Sequence, residues 1–259
     1  MIGDRKVAQF TDTGYGFRLS RRNKPSKFHH MATYSCVVGP LARVHVTFVE
    51  ELKTYTDEAA KEIAVKHLTS SECETWMTMQ ANTTRKMEWL LGRVALKEAV
   101  CDFMLETQLT TVHSKDLVIS RSEEGAPFIS WAVPNELPLP VISLAHTEGV
   151  IVAAVASAEA VGIDVENADR QAPTVARVLT ETETKLLETE RITLLSAVVA
   201  KEAASKAVGT GLGGDLRRWP IVHTEGDQHF VTCVDDEEIA LIVDFLDVPN
   251  LVLGICVVV

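Results

Sequence analysis

The sequence predicts an α+β fold with two similar halves. Three observations point that way. Segments that read as strands give way to helices and then return to strands, twice along the chain, which is the order of α+β rather than of a doubly wound sheet. The segment Lys97-Glu98-Ala99 recurs as Lys201-Glu202-Ala203, each time inside a long helical pattern. The 259 residues are 46% hydrophobic and 24% charged, an ordinary globular balance. A chain of this length buries roughly 70–75% of its unfolded surface and needs no disulfide or metal staple.

Residues 1–30 are polar, basic and without periodicity, and read as an irregular extension. Globular patterning begins near Thr33. Val44 to Val49 reads as a strand, Asp57 to His67 as a short amphipathic helix, and Ser70 or Ser71 as the cap of another. Lys86 to Met104 places Trp89, Leu90, Val94, Leu96, Val100 and Phe103 on one broad apolar face of a longer helix. Short strands follow. Asp116 to Ser120 and Pro127 to Trp131 flank a turn at Glu124-Gly125, and Val141–Ala145, Val150–Ala156 and Val161–Val165 come next. Thr180 and Glu183 form a possible capping box. A helix from about Ile192 to Val208 stops at Gly209. Strands at Trp219–His223, Phe230–Cys233, Ile239–Val243 and Leu251–Val259 complete the chain. The last of these is too short to span a membrane and reads as a buried strand.

The net charge of −11 argues against non-specific binding to nucleic acid or to anionic membranes. The charge is uneven: residues 1–30 carry +5, leaving −16 for the remainder. An anionic substrate must therefore be held by local cations. Cys36, Cys73, Cys101, Cys233 and Cys256 are scattered and form no CxxC pair, which argues against a disulfide framework or structural zinc and for a reducing cytoplasm. No apolar run near the N-terminus resembles a secretory signal.

Three constellations could carry chemistry. In Gly162-Ile163-Asp164-Val165-Glu166, strand alternation puts Asp164 and Glu166 on one face and Ile163 and Val165 on the other. Two neighbouring carboxylates repel unless a cation lies between them, and a hard cation such as Mg²⁺ answers that need. The plainer alternative is an exposed strand edge with two solvated acids. In Lys201-Glu202-Ala203-Ala204-Ser205-Lys206, Glu202 and Lys206 share a helix face, either as an ordinary stabilising pair or as site residues. The small residues between them allow something to approach closely. His146, at a strand end, is a turn histidine or a donor to phosphate. Gly209-Thr210-Gly211-Leu212-Gly213-Gly214 matches G-x-G-x-x-G literally but follows a helix instead of opening one, so it reads as a helix stop and not a dinucleotide site.

Together these segments resemble the 4′-phosphopantetheinyl transferase superfamily. The resemblance rests on Val161 to Glu166, an interval of 35 residues from Glu166 to Lys201, and then Lys201-Glu202-x-x-x-Lys206-x-x-Gly209-x-Gly211-Leu212. Upstream, Ser143-Leu144-Ala145-His146-Thr147, Gly125-Ala126-Pro127 and Leu91-Gly92-Arg93 resemble the family's S-x-S-H-S, G-K-P and A/L-G-R segments. Ala145 stands where the family usually has Ser, Ala126 replaces the turn lysine, and Val198 sits where an aromatic residue is common.

The resemblance implies an Sfp-type pseudo-dimer of two similar halves, each a small antiparallel sheet packed on a long helix, in one chain with a site between them. The expected divisions are a basic extension (1–30), a coenzyme A phosphate-binding half (31–159) and a Mg²⁺-binding catalytic half (160–259). The implied reaction moves 4′-phosphopantetheine from coenzyme A to a serine of an acyl or peptidyl carrier protein, in polyketide, peptide or fatty-acid synthesis. That is a holo-[acyl-carrier-protein] synthase activity. Asp164, Glu166 and Glu202 are the implied Mg²⁺ ligands, with Asp164, Glu202 and Lys206 catalytic. Glu202 is the candidate base and Lys206 the cation on the leaving phosphate. Arg93, Arg121, His146 and Lys206 are the implied coenzyme A contacts, Arg121 being placed by its distance before the Gly125 turn. A metal-dependent phosphohydrolase using the same carboxylates, or a non-catalytic carrier-binding module of a larger synthase, are the alternatives.

Overall fold

The computed structural model describes residues 19–20, 31–38, 41–49, 55–171, 174–212 and 214–259. The reading of residues 1–30 as an extension falls outside these, apart from the two-residue strand β1 (Leu19–Ser20). The chain divides into two compact units, one spanning Arg18–Ser157 and the other including Ala158–Val259. The observed class is α+β.

The N-terminal unit opens with an antiparallel pair, β2 (Met31–Val38) and β3 (Ala42–Val49). Three helices follow: α1 (Asp57–His67), α2 (Ser70–Thr78) and α3 (Thr83–Gln108). Thr56 caps α1, and acids in its first turn and bases in its last complement the helix dipole. The cap of α2 is Thr69, one residue before the Ser70–Ser71 expectation. Its hydroxyl accepts from the Glu72 amide at 3.4 Å and the Glu72 carboxylate accepts from the Thr69 amide at 2.9 Å, a reciprocal pair that serine at 70 or 71 would not make with Glu72. Helix α3 exceeds the predicted Lys86–Met104 at both ends, because Asn82 caps a polar first turn and Leu109, with φ +53, takes the left-handed stop. Apolar periodicity marks only the buried middle of such a helix.

The strands β4 (Leu117–Arg121) and β5 (Pro127–Trp131) form a hairpin turned through Gly125 at φ +91. The strands β6 (Val141–Thr147) and β7 (Val150–Ala156) complete a sheet of order β1-β2-β3-β7-β6. Helix α3 lies on β7 and β3, packing Leu90, Leu91, Val94 and Phe103 into one core with Ile142, Ile151, Ala153 and Val155.

The C-terminal unit starts with β8 (Ala160–Asn167), then α4 (Val175–Val178), α5 (Glu181–Glu188) and α6 (Leu194–Val208). The Thr180–Glu183 capping box forms as predicted, and α6 ends at Gly209 in the left-handed region, φ +81. Four strands follow: β9 (Ile221–Glu225), β10 (Gln228–Cys233), β11 (Asp236–Leu246) and β12 (Leu251–Val258). The antiparallel order is β8-β12-β11-β10-β9. Strand β11 runs past its apolar window because the ladder also carries Asp236 at one end and Asp244, which interrupts the apolar run before Phe245 and Leu246, at the other. Trp219 closes a 3₁₀ turn instead of starting β9. Helix α6 lies across β8 and β12. Among the described residues no helix is long and apolar enough to cross a membrane.

Candidate active site

Strand β8 is an edge strand, yet its acids are not solvated. Asp164 and Glu166 are 5% and 6% exposed, nearly as buried as Ile163 and Val165 on the opposite face. This corrects the alternative of an exposed strand edge. Helix α6 packs on β8, and Gly162 is what lets it come so close. A Cβ at Gly162 would collide with the Ala203 carbonyl oxygen and the Ala207 amide, with the Ala207 Cα at 3.0 Å. Ala200, Ala203, Ala204 and Ala207 are all buried. The small residues of α6 therefore serve the approach of a strand.

This packing brings Lys206 onto the strand. Its Nζ donates to Asp164 Oδ1 at 2.6 Å and to the Ile163 carbonyl at 3.1 Å, and lies 3.9 Å from Glu202 Oε2. The expected helix pair of Glu202 and Lys206 is thus the longer of the lysine's two ion pairs.

Burial pushes the Asp164 carboxyl above its ordinary range, against the pull of Lys206 and then Arg170. The Glu202 carboxyl is also raised, first by burial and then by the Asp164 charge, while Lys206 and Arg170 oppose the rise. Asp164 Oδ2 is buried without a donor. Glu166 is engaged by Arg170, four residues on.

A hard divalent cation fits this donor set. The available groups are carboxylate oxygens, one of them buried and undonated, and two carboxyls are driven towards their neutral forms chiefly by burial, a cost that a bound cation would offset. Among the described residues, no three His, Cys, Asp or Glu side chains are gathered as a ready metal cage. Asp164 and Glu202 are brought together, while Glu166 stands on the same strand face, held by Arg170.

Lys201 takes no part in the cluster. It is fully buried, 2.7 Å from Glu183 Oε1, and donates to the Val178 carbonyl at 2.6 Å. Sequence reading found Glu183 only as a capping residue and missed Arg170; its one signal was the four-residue spacing from Glu166, which has meaning on a helix but sits here in a turn.

In the N-terminal unit the Arg93 guanidinium lies 3.3 Å above the Trp89 ring centroid, a cation–π contact. Its pKa is lowered to about 10, first by burial, with the Glu72 charge opposing the fall and the Arg121 charge adding to it. Arg93 Nε is buried with no acceptor. Arg121, exposed, ends β4 opposite Pro127. His146 is exposed on β6, opposite Ile151. Ala145 beside it is buried.

The glycine run after α6 begins as a helix stop. Gly209 donates to the Ser205 and Lys206 carbonyls, and Gly211 and Gly214 also have positive φ. The segment leads into the 3₁₀ turn Leu216–Arg218.

No curated protein matches the chain. Residues 160–256 match the family model of the 4′-phosphopantetheinyl transferase superfamily. That stretch begins with β8, nearly reaches the end of β12, and contains Asp164, Glu166, Glu202 and Lys206. The C-terminal unit, with its buried carboxylates and its lysine-bearing helix, is thus the part of the chain that is similar to the 4′-phosphopantetheinyl transferase superfamily.

Proposed function

We propose that the protein transfers 4′-phosphopantetheine from coenzyme A to a serine of an acyl or peptidyl carrier protein, in a Mg²⁺-dependent reaction that releases adenosine 3′,5′-bisphosphate. The observation that carries this reading is the meeting of Asp164, Glu202 and Lys206 within the matched segment. Asp164, Glu166 and Glu202 would hold the cation, which when bound would neutralise charge on the pyrophosphate. Glu202, with its carboxyl raised, is suited to take the proton of the attacking serine hydroxyl. Lys206 is partly exposed and can turn its ammonium from Asp164 to a leaving phosphate oxygen. On this reading residues 31–159 supply the coenzyme A contacts, with Arg93, Arg121 and His146 binding its phosphates. Cys73, Cys101, Cys233 and Cys256 are free, which suits a reducing compartment.

Intact-mass analysis of apo carrier proteins, incubated with the enzyme, coenzyme A and Mg²⁺, tests the proposal. The expected result is a carrier heavier by one phosphopantetheine. Phosphate release from coenzyme A without carrier modification would instead favour the phosphohydrolase. Carrier binding with neither reaction would favour the non-catalytic module.

A further inference from the structure

Glu166 already has a cation. The Arg170 guanidinium is paired with Glu166 Oε1, and the two partners are unequal: the Glu166 side chain is 8% exposed and that of Arg170 is 55% exposed. The backbone after β8 sets up the pair. Ala168 N–H donates to the Asn250 carbonyl and Arg170 N–H to the Asn167 carbonyl, both at 2.9 Å, so a tight turn returns Arg170 towards the end of the strand. Its charge reaches the rest of the cluster too, since it pulls on both Asp164 and Glu202. Lys206 is a further cation of the cluster among the described residues, but the Ile163 carbonyl also anchors it. A more-than-half-exposed guanidinium is the partner that can leave into water at low cost; a carboxylate that is 8% exposed cannot.

We propose that Arg170 is the exchangeable counter-ion of the carboxylate cluster: it neutralises Glu166 when no divalent cation is bound, and a divalent cation gains Glu166 by displacing it. This rests on the reading of Asp164, Glu166 and Glu202 as cation ligands. Arg170 is then a residue that tunes cation affinity and not a catalytic one. The apparent affinity is reduced by the fraction of molecules in which Glu166 is occupied by Arg170. Partly exposed ion pairs are modest, so removing the arginine should tighten binding by about two- to tenfold.

The test is Mn²⁺ binding to the full chain without coenzyme A or carrier, followed by the electron paramagnetic resonance signal of free Mn²⁺. Arg170→Gln should bind about two- to tenfold tighter than wild type, with an unchanged circular dichroism spectrum. A second readout separates displacement from a simple change of field. The Arg170 side-chain NMR signal, identified by its absence in Arg170→Gln, should move to the position of a solvated arginine as Mg²⁺ saturates the wild type. Unchanged or weaker Mn²⁺ binding by the variant, or an Arg170 signal that Mg²⁺ does not move, overturns the proposal while leaving the cation site standing. Failure of both proteins to bind Mn²⁺ saturably overturns the cation site as well.

Discussion

Lys97 and Lys201 are each fully buried, one in each unit, and each is tied in the same way. Lys97 pairs with Glu72 and donates to the His67 carbonyl at 3.2 Å; Glu72 also accepts from the amides of Thr69 at 2.9 Å and Ile119 at 3.0 Å. Lys201 pairs with Glu183 and donates to the Val178 carbonyl; Glu183 accepts from the amides of Thr180 at 2.7 Å and Ile221 at 2.8 Å. Each acid therefore joins the capping turn of a short helix, the long helix and the next strand. The units differ one residue further on. Glu98 is 48% exposed, beside His67, whereas Glu202 is 31% exposed and packed towards Asp164 and Lys206. The strands beneath differ as well. Strand β3 offers Arg43 to Glu106 on α3, while β8 offers Asp164 to Lys206 on α6. The buried tie is thus architecture common to both units, and the candidate chemistry depends on which charges the neighbouring strand presents.

Activity should separate the two units most. Glu202→Gln should lower carrier modification by about a hundredfold or more, the scale of losing a general base, while Glu98→Gln at the matching position should leave it unchanged. Intact-mass time courses measure both. Equal loss in the two variants would break the distinction between the units.

Next comes stability. Lys97→Met and Lys201→Met each strand a buried carboxylate and should each cost about 3–5 kcal/mol, read from urea unfolding. Similar costs support an equivalent tie, and a negligible cost in either unit would show that its pair is not structural.

A smaller effect is expected at two glycines. A Cβ at Gly162 meets the backbone of α6, but one at Gly92 meets only the flexible end of Leu144, at 2.9 Å. Gly162→Ala should cost about 1–3 kcal/mol by overpacking. Gly92→Ala, inside α3, should be near neutral because the better helix propensity of alanine, about 1 kcal/mol, offsets the crowding. Thermal melts of both variants decide it.

The smallest effect is a pH dependence confined to one unit. His67 and Val178 each lend a carbonyl to a buried lysine, but only His67 titrates. Burial, and then the charges of Lys66, Lys97 and Lys115, lower its pKa from 6.5 to about 4. Between those values the unfolded chain binds a proton that the folded chain does not, so this contribution is intact above pH 6.5 and is lost as pH falls towards about 4. His67→Val should flatten the fall in melting temperature across that window. An unchanged slope would place the acid sensitivity elsewhere.

Local periodicity and turn chemistry were legible in the residues alone. Alternation in Val161–Val165 placed Asp164 and Glu166 on one face, Thr180 with Glu183 announced a helix start, and Gly209 announced a helix stop. Helix ends with polar first turns, as at Asn82 to Arg85, were less legible because their caps lie outside the apolar pattern. Tertiary structure decided which charges are buried and which partner each one has. Lys206 reaches Asp164 from 42 residues away, Lys201 turns inward to Glu183 although Glu202 beside it joins the cluster, and Gly162 matters because a helix backbone lies where its Cβ would be. The physical reason is that periodicity reports a residue's face relative to its own element, whereas desolvation and Coulomb attraction act between elements, at distances that only packing sets.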